Sequence, residues 1–257
     1  MNTAAFDVGL MWPALAAGLL VTMTHVPLGM QVLSRGIVFI DLAIAQIAGL
    51  GVILADFVGL ESQGWAVQVF ALLAALAGAL LLTWTDRRWP DVQEAVIGVS
   101  FVLAASGALL LMASNPHGGE HLKALLVGQI LWVGPAKLAL VAVAYGALMA
   151  VWFAIGRDAS RVGFYVVFAC AVTISVQLVG LYLVFTTLIV PALATRRIIR
   201  GRLAIGYALS ATGYALGLVI STVTDLPTGP AIVWVMAAIA IVTFALIGKR
   251  QTEHVDA

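Results

Sequence analysis

Long apolar runs, each about the length of a membrane-crossing helix, alternate with short polar gaps along the whole of this 257-residue chain. A helix needs about 20 mostly apolar residues to cross a bilayer. Runs that meet this condition lie at roughly 9–30, 37–58, 64–85, 95–113, 136–155, 203–223 and 230–248. The stretch from Val162 to Thr195 is longer, roughly 34 residues, and basic on both flanks. Two short helices turning near Gly180 satisfy both its length and its flanks. The pattern predicts an all-α fold, a polytopic transmembrane helical bundle of eight or nine spans, forming one domain over residues 1–257.

The charges orient those spans. Of the 13 lysines and arginines, all but Lys123 and Lys137 fall into five groups. These are Arg35; Arg87 and Arg88; Arg157 and Arg161; Arg196, Arg197, Arg200 and Arg202; and Lys249 with Arg250. All five can be placed on one side of a membrane, and basic residues in short loops mark the cytoplasmic side. The other gaps carry mainly acids: Asp7, Asp56, Glu61, Glu120 and Asp225. A multi-pass protein of the plasma (inner) membrane follows, N-terminus outside and C-terminus cytoplasmic.

Composition removes the alternatives. Charged residues make up 10% of the chain, against about 25% in soluble domains. A net charge of +1, spread thinly along one rim, gives no footprint for nucleic acid. The first seven residues have neither the basic region nor the cleavage site of a removable signal. The lone Cys170 excludes an intrachain disulfide or a thiolate metal cluster. No internal repeat of the kind found in many secondary transporters is evident.

Ionisable groups inside spans are costly and point to function. His25 and Asp41 stand out. The turn between the first two spans centres near Leu33, eight residues from each. At 1.5 Å per residue both lie about 12 Å from that turn, at matched depth. They either hydrogen-bond to tie the hairpin together or share a hard-to-borderline divalent cation. Gln46 is one turn deeper, about 140° around the helix from Asp41.

His117-Gly-Gly-Glu120-His121 reads as H-x-x-E-H, an inverted zinc-protease pattern. That chemistry needs both histidines on one helical face. Pro116 and the two glycines compose a turn instead, so a surface loop is expected. Pro191 to Arg202 reads as a short interfacial helix, either an anchor or a cytoplasmic docking knob. Asp225-Leu-Pro-Thr-Gly-Pro230 reads as an outer turn that starts the last span, with Pro230 near its first position.

Several segments occur in order across nearly the whole chain. They are Pro27-Leu28-Gly29, Arg35-Gly36, Asp41 to Gly51, Val179 to Val184 followed by Leu188-Ile-Val-Pro191-Ala192, and Asp225-x-Pro-x-Gly229-Pro230. Together they resemble the permease subunit of ATP-binding-cassette importers for zinc, manganese or iron. The resemblance implies a homodimer of permeases around a central path, in contact with membrane lipid and powered by a separate cytoplasmic ABC ATPase. An extracytoplasmic metal-binding protein would deliver the cargo. In keeping with that division, the chain has no G-x-x-x-x-G-K-[ST] phosphate loop.

By the same resemblance, Pro191, Thr195, Arg196, Arg197 and Arg200 would couple to the ATPase. Glu120, His121 and Asp225 would form a docking surface for the binding protein or an outer gate. The family commonly carries Asp-x-x-x-His on its second span, where i,i+4 spacing puts both ligands on one face. Here Asp41 is followed at that spacing by Ala45, and Gln46 is preceded at that spacing by Leu42, in the acid position. His25 would supply the missing nitrogen.

The expected activity is therefore import, not catalysis, with a divalent metal as cargo and no cofactor bound by the chain. Asp41, His25 and Gln46 would hold the ion briefly. A histidine ligand must be neutral to coordinate, so transport should fall below roughly pH 6. Competing expectations are a permease for a chelated metal or small organic cofactor, a secondary cation transporter, and, furthest behind, an intramembrane metalloprotease using His117, Glu120 and His121.

Overall fold

The computed structural model describes residues 8–60, 64–112, 128, 130–155 and 161–253. Among them are nine α-helices: α1 (Val8–Arg35), α2 (Ile40–Phe57), α3 (Trp65–Arg88), α4 (Gln93–Met112), α5 (Pro135–Ile155), α6 (Arg161–Val179), α7 (Leu181–Ala194), α8 (Arg202–Thr224) and α9 (Thr228–Glu253). Short 3-10 turns precede α4 (Pro90–Val92) and α5 (Ile130–Trp132). The described residues form no strand. Eight helices are long and apolar enough to cross a membrane. The ninth, α7, has 14 residues, about 21 Å at 1.5 Å per residue, short of a hydrocarbon core about 30 Å thick.

The interruption expected near Gly180 is at that residue. Gly180 has φ +85°, a conformation that costs glycine little and side-chain-bearing residues much. It separates α6 from α7 and serves as the N-cap of the latter.

The chain divides into two compact units. The first contains α1, the turn Ile130–Trp132, the first residues of α5, and α7, α8 and α9. Within it α1 packs on α7 and α8, and α9 packs on the same two helices. The seam between α1 and α7 is a backbone contact. A Cβ on Gly29 would lie 1.8 Å from the carbonyl oxygen of Leu188, so only hydrogen fits there.

Pro27 lies inside α1 and has no N–H to offer the carbonyl four residues earlier. That carbonyl, on Met23, instead accepts a hydrogen bond from the Tyr207 hydroxyl of α8 at 3.1 Å. Thr22 Oγ1 donates to Gly18 O at 2.8 Å and lies 2.9 Å from Ser210 Oγ. Tyr214 and Thr187 pair their hydroxyls at 2.8 Å. Bonds between helices in a membrane average only about 0.6 kcal/mol, so close packing carries most of the association.

The second unit contains α2, α3, α4, the rest of α5 and nearly all of α6. Helix α2 packs on α3 and α4. Gln93 ties the α3–α4 junction, its Nε2 donating to Leu82 O at 2.9 Å and its Oε1 accepting from Thr85 Oγ1 at 3.0 Å. The hydroxyls of Tyr145 and Ser175 pair between α5 and α6.

One local expectation is overturned. Pro191 to Arg202 is not a separate helix. Pro191 to Ala194 are the last turn of α7, and the chain then turns at Thr195–Arg197 and continues irregularly to α8. Hydrogen bonding to carbonyls ends the helix. Thr195 directs both its N–H (3.1 Å) and its hydroxyl (2.7 Å) to Pro191 O. Arg202 Nη2 donates to Ala192 O at 3.1 Å, satisfying a helix-end carbonyl. Gly201 then takes the left-handed conformation, φ +76°, which opens α8.

Candidate functional site

His25 is fully buried in the middle of α1. Its Nδ1 lies 2.9 Å from Thr24 Oγ1 and 3.2 Å from Val21 O. The Thr24 hydroxyl donates its own hydrogen to Val21 O at 3.1 Å, so both groups facing Nδ1 are acceptors. The proton is thereby assigned to Nδ1, and Nε2 is left with an unprotonated lone pair. Nε2 is buried and has no hydrogen-bond partner among the described residues. An imidazole held through Nδ1–H to a carbonyl, with Nε2 free, is the arrangement that metal-ligating histidines adopt.

Asp41 is fully buried in the first turn of α2. Neither carboxylate oxygen has a hydrogen-bond partner among the described residues. The nearby backbone N–H of Phe39 goes instead to Glu94 Oε1 at 3.4 Å. The helix N-terminus favours negative charge at Asp41, but burial without a donor is unfavourable for a carboxylate. A cation bound there would offset that cost. Gln46 is half-buried on the same helix. His25 lies in the first unit, Asp41 and Gln46 in the second. Among the described residues no three His, Cys, Asp or Glu side chains gather into a metal cluster.

The basic segment after α7 has a defined form. Pro191 and Thr195 are buried and build the helix end, while Arg196, Arg197 and Arg200 are exposed. Ile199, at the tip between them, is 94% exposed. Sequence reading passed over this residue, although an Ile-Ile pair inside an arginine run was the available signal. Apolar groups so exposed on a charged knob suit docking against another protein.

The turn between α8 and α9 falls at residues 225–227, with residues 228–230 already in α9. Asp225 is exposed and left-handed, φ 54°. Ser221 Oγ donates to Leu226 O at 2.7 Å and lies 2.8 Å from Thr228 Oγ1, and α9 begins at Thr228, with Pro230 its third residue. Asp225 lines an open cavity of about 640 Å3 together with Trp132, which is 76% exposed. Trp132 was not singled out from sequence, where a tryptophan near a span end reads as an interfacial anchor. Glu120 and His121, with His117, lie outside the described residues.

Comparison with known proteins covers almost all of this architecture. The profile of the ABC 3 transport family matches residues 7–164 and 154–247. An uncharacterized membrane protein of Synechocystis sp. is 24% identical over 254 residues, covering 90% of this chain and 89% of the relative. In fold, the chain resembles one from PsaBC of Streptococcus pneumoniae, solved in complex with Fab. The TM-score is 0.74 at 20% identity, over 95% of both chains. It also resembles an inward-facing ABC transporter described as of the metal-chelate type, with TM-score 0.62 at 15% identity, over 90% of this chain and 84% of the other.

Proposed function

Because this chain belongs to the ABC 3 transport family, we propose that it is the permease subunit of an ABC importer carrying a divalent transition metal, zinc, manganese or iron, into the cytoplasm. The observation that carries this reading is the bare, buried Nε2 of His25, fixed through Nδ1. Asp41, buried with two unpartnered oxygens, supplies the compensating negative charge. Gln46 adds a neutral oxygen. In the sequence His25 and Asp41 each lie eight residues from the turn centre, which is the basis for expecting the imidazole and carboxylate at one level.

The cargo passes by alternating access, held weakly because conduction needs release as well as capture. Two copies form the path. A cytoplasmic ATPase supplies energy through the knob of Pro191, Thr195, Arg196, Arg197 and Arg200, with Ile199 as its apolar tip. An extracytoplasmic binding protein delivers the metal to the outer surface, to which we assign Asp225, in a cavity shared with Trp132, and, from the sequence, Glu120 and His121. The N-terminus faces outside and the C-terminus the cytoplasm.

The test is metal-stimulated ATP hydrolysis and uptake in proteoliposomes holding the chain, its ATPase and its binding protein, across zinc, manganese and iron. Stimulation by at least one of them, lost in Asp41→Asn and His25→Ala while the complex still assembles, is the expected result. Uptake without ATP would assign a secondary transporter instead. Cleavage of a membrane substrate that Glu120→Gln abolishes would assign a protease.

A second reading keeps the transport and changes the cargo to a chelated metal. Two observations favour it: the broken Asp-x-x-x-His spacing on α2, and the lack of any three-residue ligand cluster among the described residues. Stimulation by a metal–chelate complex but not by the free ion would select it.

A further inference from the structure

Helices α7 and α9, both in the first unit, leave an open groove of about 520 Å3 between them, at the end of α7 that carries the arginine knob. Its α9 wall includes Ala237, Ala240, Ile241 and Phe244. These positions recur at three- and four-residue steps and so present one helical face. Leu193 forms the opposite wall, and Arg196 stands at the rim. Small alanines opposite larger side chains make the channel, and hydrocarbon is what such a surface takes up.

The rim is chemically different. The guanidinium carbons of Arg196 and Arg197 lie 5.5 and 4.9 Å from the centroid of the single Phe244 ring. Stacking on an aromatic face fixes each guanidinium in place. It also gathers two positive charges at one spot, and among the described residues no carboxylate pairs with either. Both arginines are exposed. Around the groove Ile241 and Leu246 are 70% and 62% exposed, as expected for a surface facing acyl chains.

We propose that this groove binds one anionic phospholipid, with an acyl chain along the α9 face and the phosphate between Arg196 and Arg197. Guanidinium groups match phosphate oxygens in pairs, and anionic lipids are concentrated in the cytoplasmic leaflet, the side to which the basic knob belongs. A soluble protein, the ATPase included, would supply the charge but not the chain, so the lipid would share Arg196 and Arg197 with the coupling role proposed above. A second copy of this chain would offer its own positive knob to the same spot. The site is independent of which cargo is carried.

Native mass spectrometry of the purified chain tests the proposal, with dioleoyl-phosphatidylglycerol and dioleoyl-phosphatidylcholine as competing probes. One retained lipid is expected, with a preference for the anionic one of roughly tenfold or more for two arginines. The double variant Arg196→Gln/Arg197→Gln should erase the preference and still retain lipid. Ala245→Trp, at an exposed lining position, should reduce retention of both lipids. Equal retention of the two lipids by the wild type overturns the proposal, as does a preference that survives the double variant or retention that survives Ala245→Trp. Efficient disulfide dimerisation of Ile241→Cys in membranes would also overturn it, by assigning the groove to a second copy.

Discussion

The middle of α1 and the first turn of α2 each bury an ionisable side chain completely, by opposite means. His25 is held by its own helix: Val21 O and Thr24 Oγ1 take the Nδ1 proton, and a single atom, Nε2, is presented bare. Asp41 has no side-chain partner among the described residues, and only the backbone N–H groups of its own first turn, at Asp41 and Leu42, lie near its oxygens. Under the proposed reading, one group is oriented before any ligand arrives, and the other carries the charge and would gain its partner with the ligand. A buried donor atom that is already fixed contributes geometry, whereas an unpaired buried charge contributes affinity for a cation.

The contrast sets an order of effects. Asp41→Asn keeps the shape and removes the charge. Initial-rate uptake should fall by more than about 100-fold, beyond the usual cost of losing an outer-sphere partner. His25→Ala should approach the same loss. Thr24→Val leaves Nε2 in place but deletes one of the two groups fixing Nδ1. Uptake KM should rise by about tenfold, with the ATPase still bound. Thr24→Ser, which restores a hydroxyl, should return it, and imidazole 15N shifts should report more of the other tautomer in Thr24→Val alone. Equal losses for Asp41→Asn and Thr24→Val would break the distinction between charge and orientation. Gln46→Ala, which removes only a neutral, half-buried oxygen, should raise uptake KM by about fivefold, on the order of 1 kcal/mol, the scale of one neutral polar contact.

Most of the helix pattern was legible because hydrocarbon imposes it. The expected run at 64–85 became Trp65–Arg88, and 203–223 became Arg202–Thr224. Most of the helices run longer than expected, although α2, Ile40–Phe57 against 37–58, is shorter. Hydropathy marks the oily layer, but backbone hydrogen bonding continues past it, so Arg35 and Arg87 lie inside the last turns of α1 and α3. The interruption at Gly180 was legible from length and flanking charge. The form of the basic segment was not. Its helix-forming composition is overridden at Thr195 and Arg202, whose side chains take carbonyls of α7, and such capping depends on where those groups lie in space. His25 and Asp41 were evident as ionisable residues within apolar runs. That Thr24 would fix the imidazole could not be read, because a threonine beside a histidine faces it only in particular rotamers.

Gly29 joins these observations. With no room for even a methyl group between α1 and α7 at Leu188, the helix that holds the imidazole and the helix that ends at the arginine knob touch backbone to backbone, one turn of α1 from His25. Under the proposed coupling, that contact is the shortest route between the arginines and the imidazole.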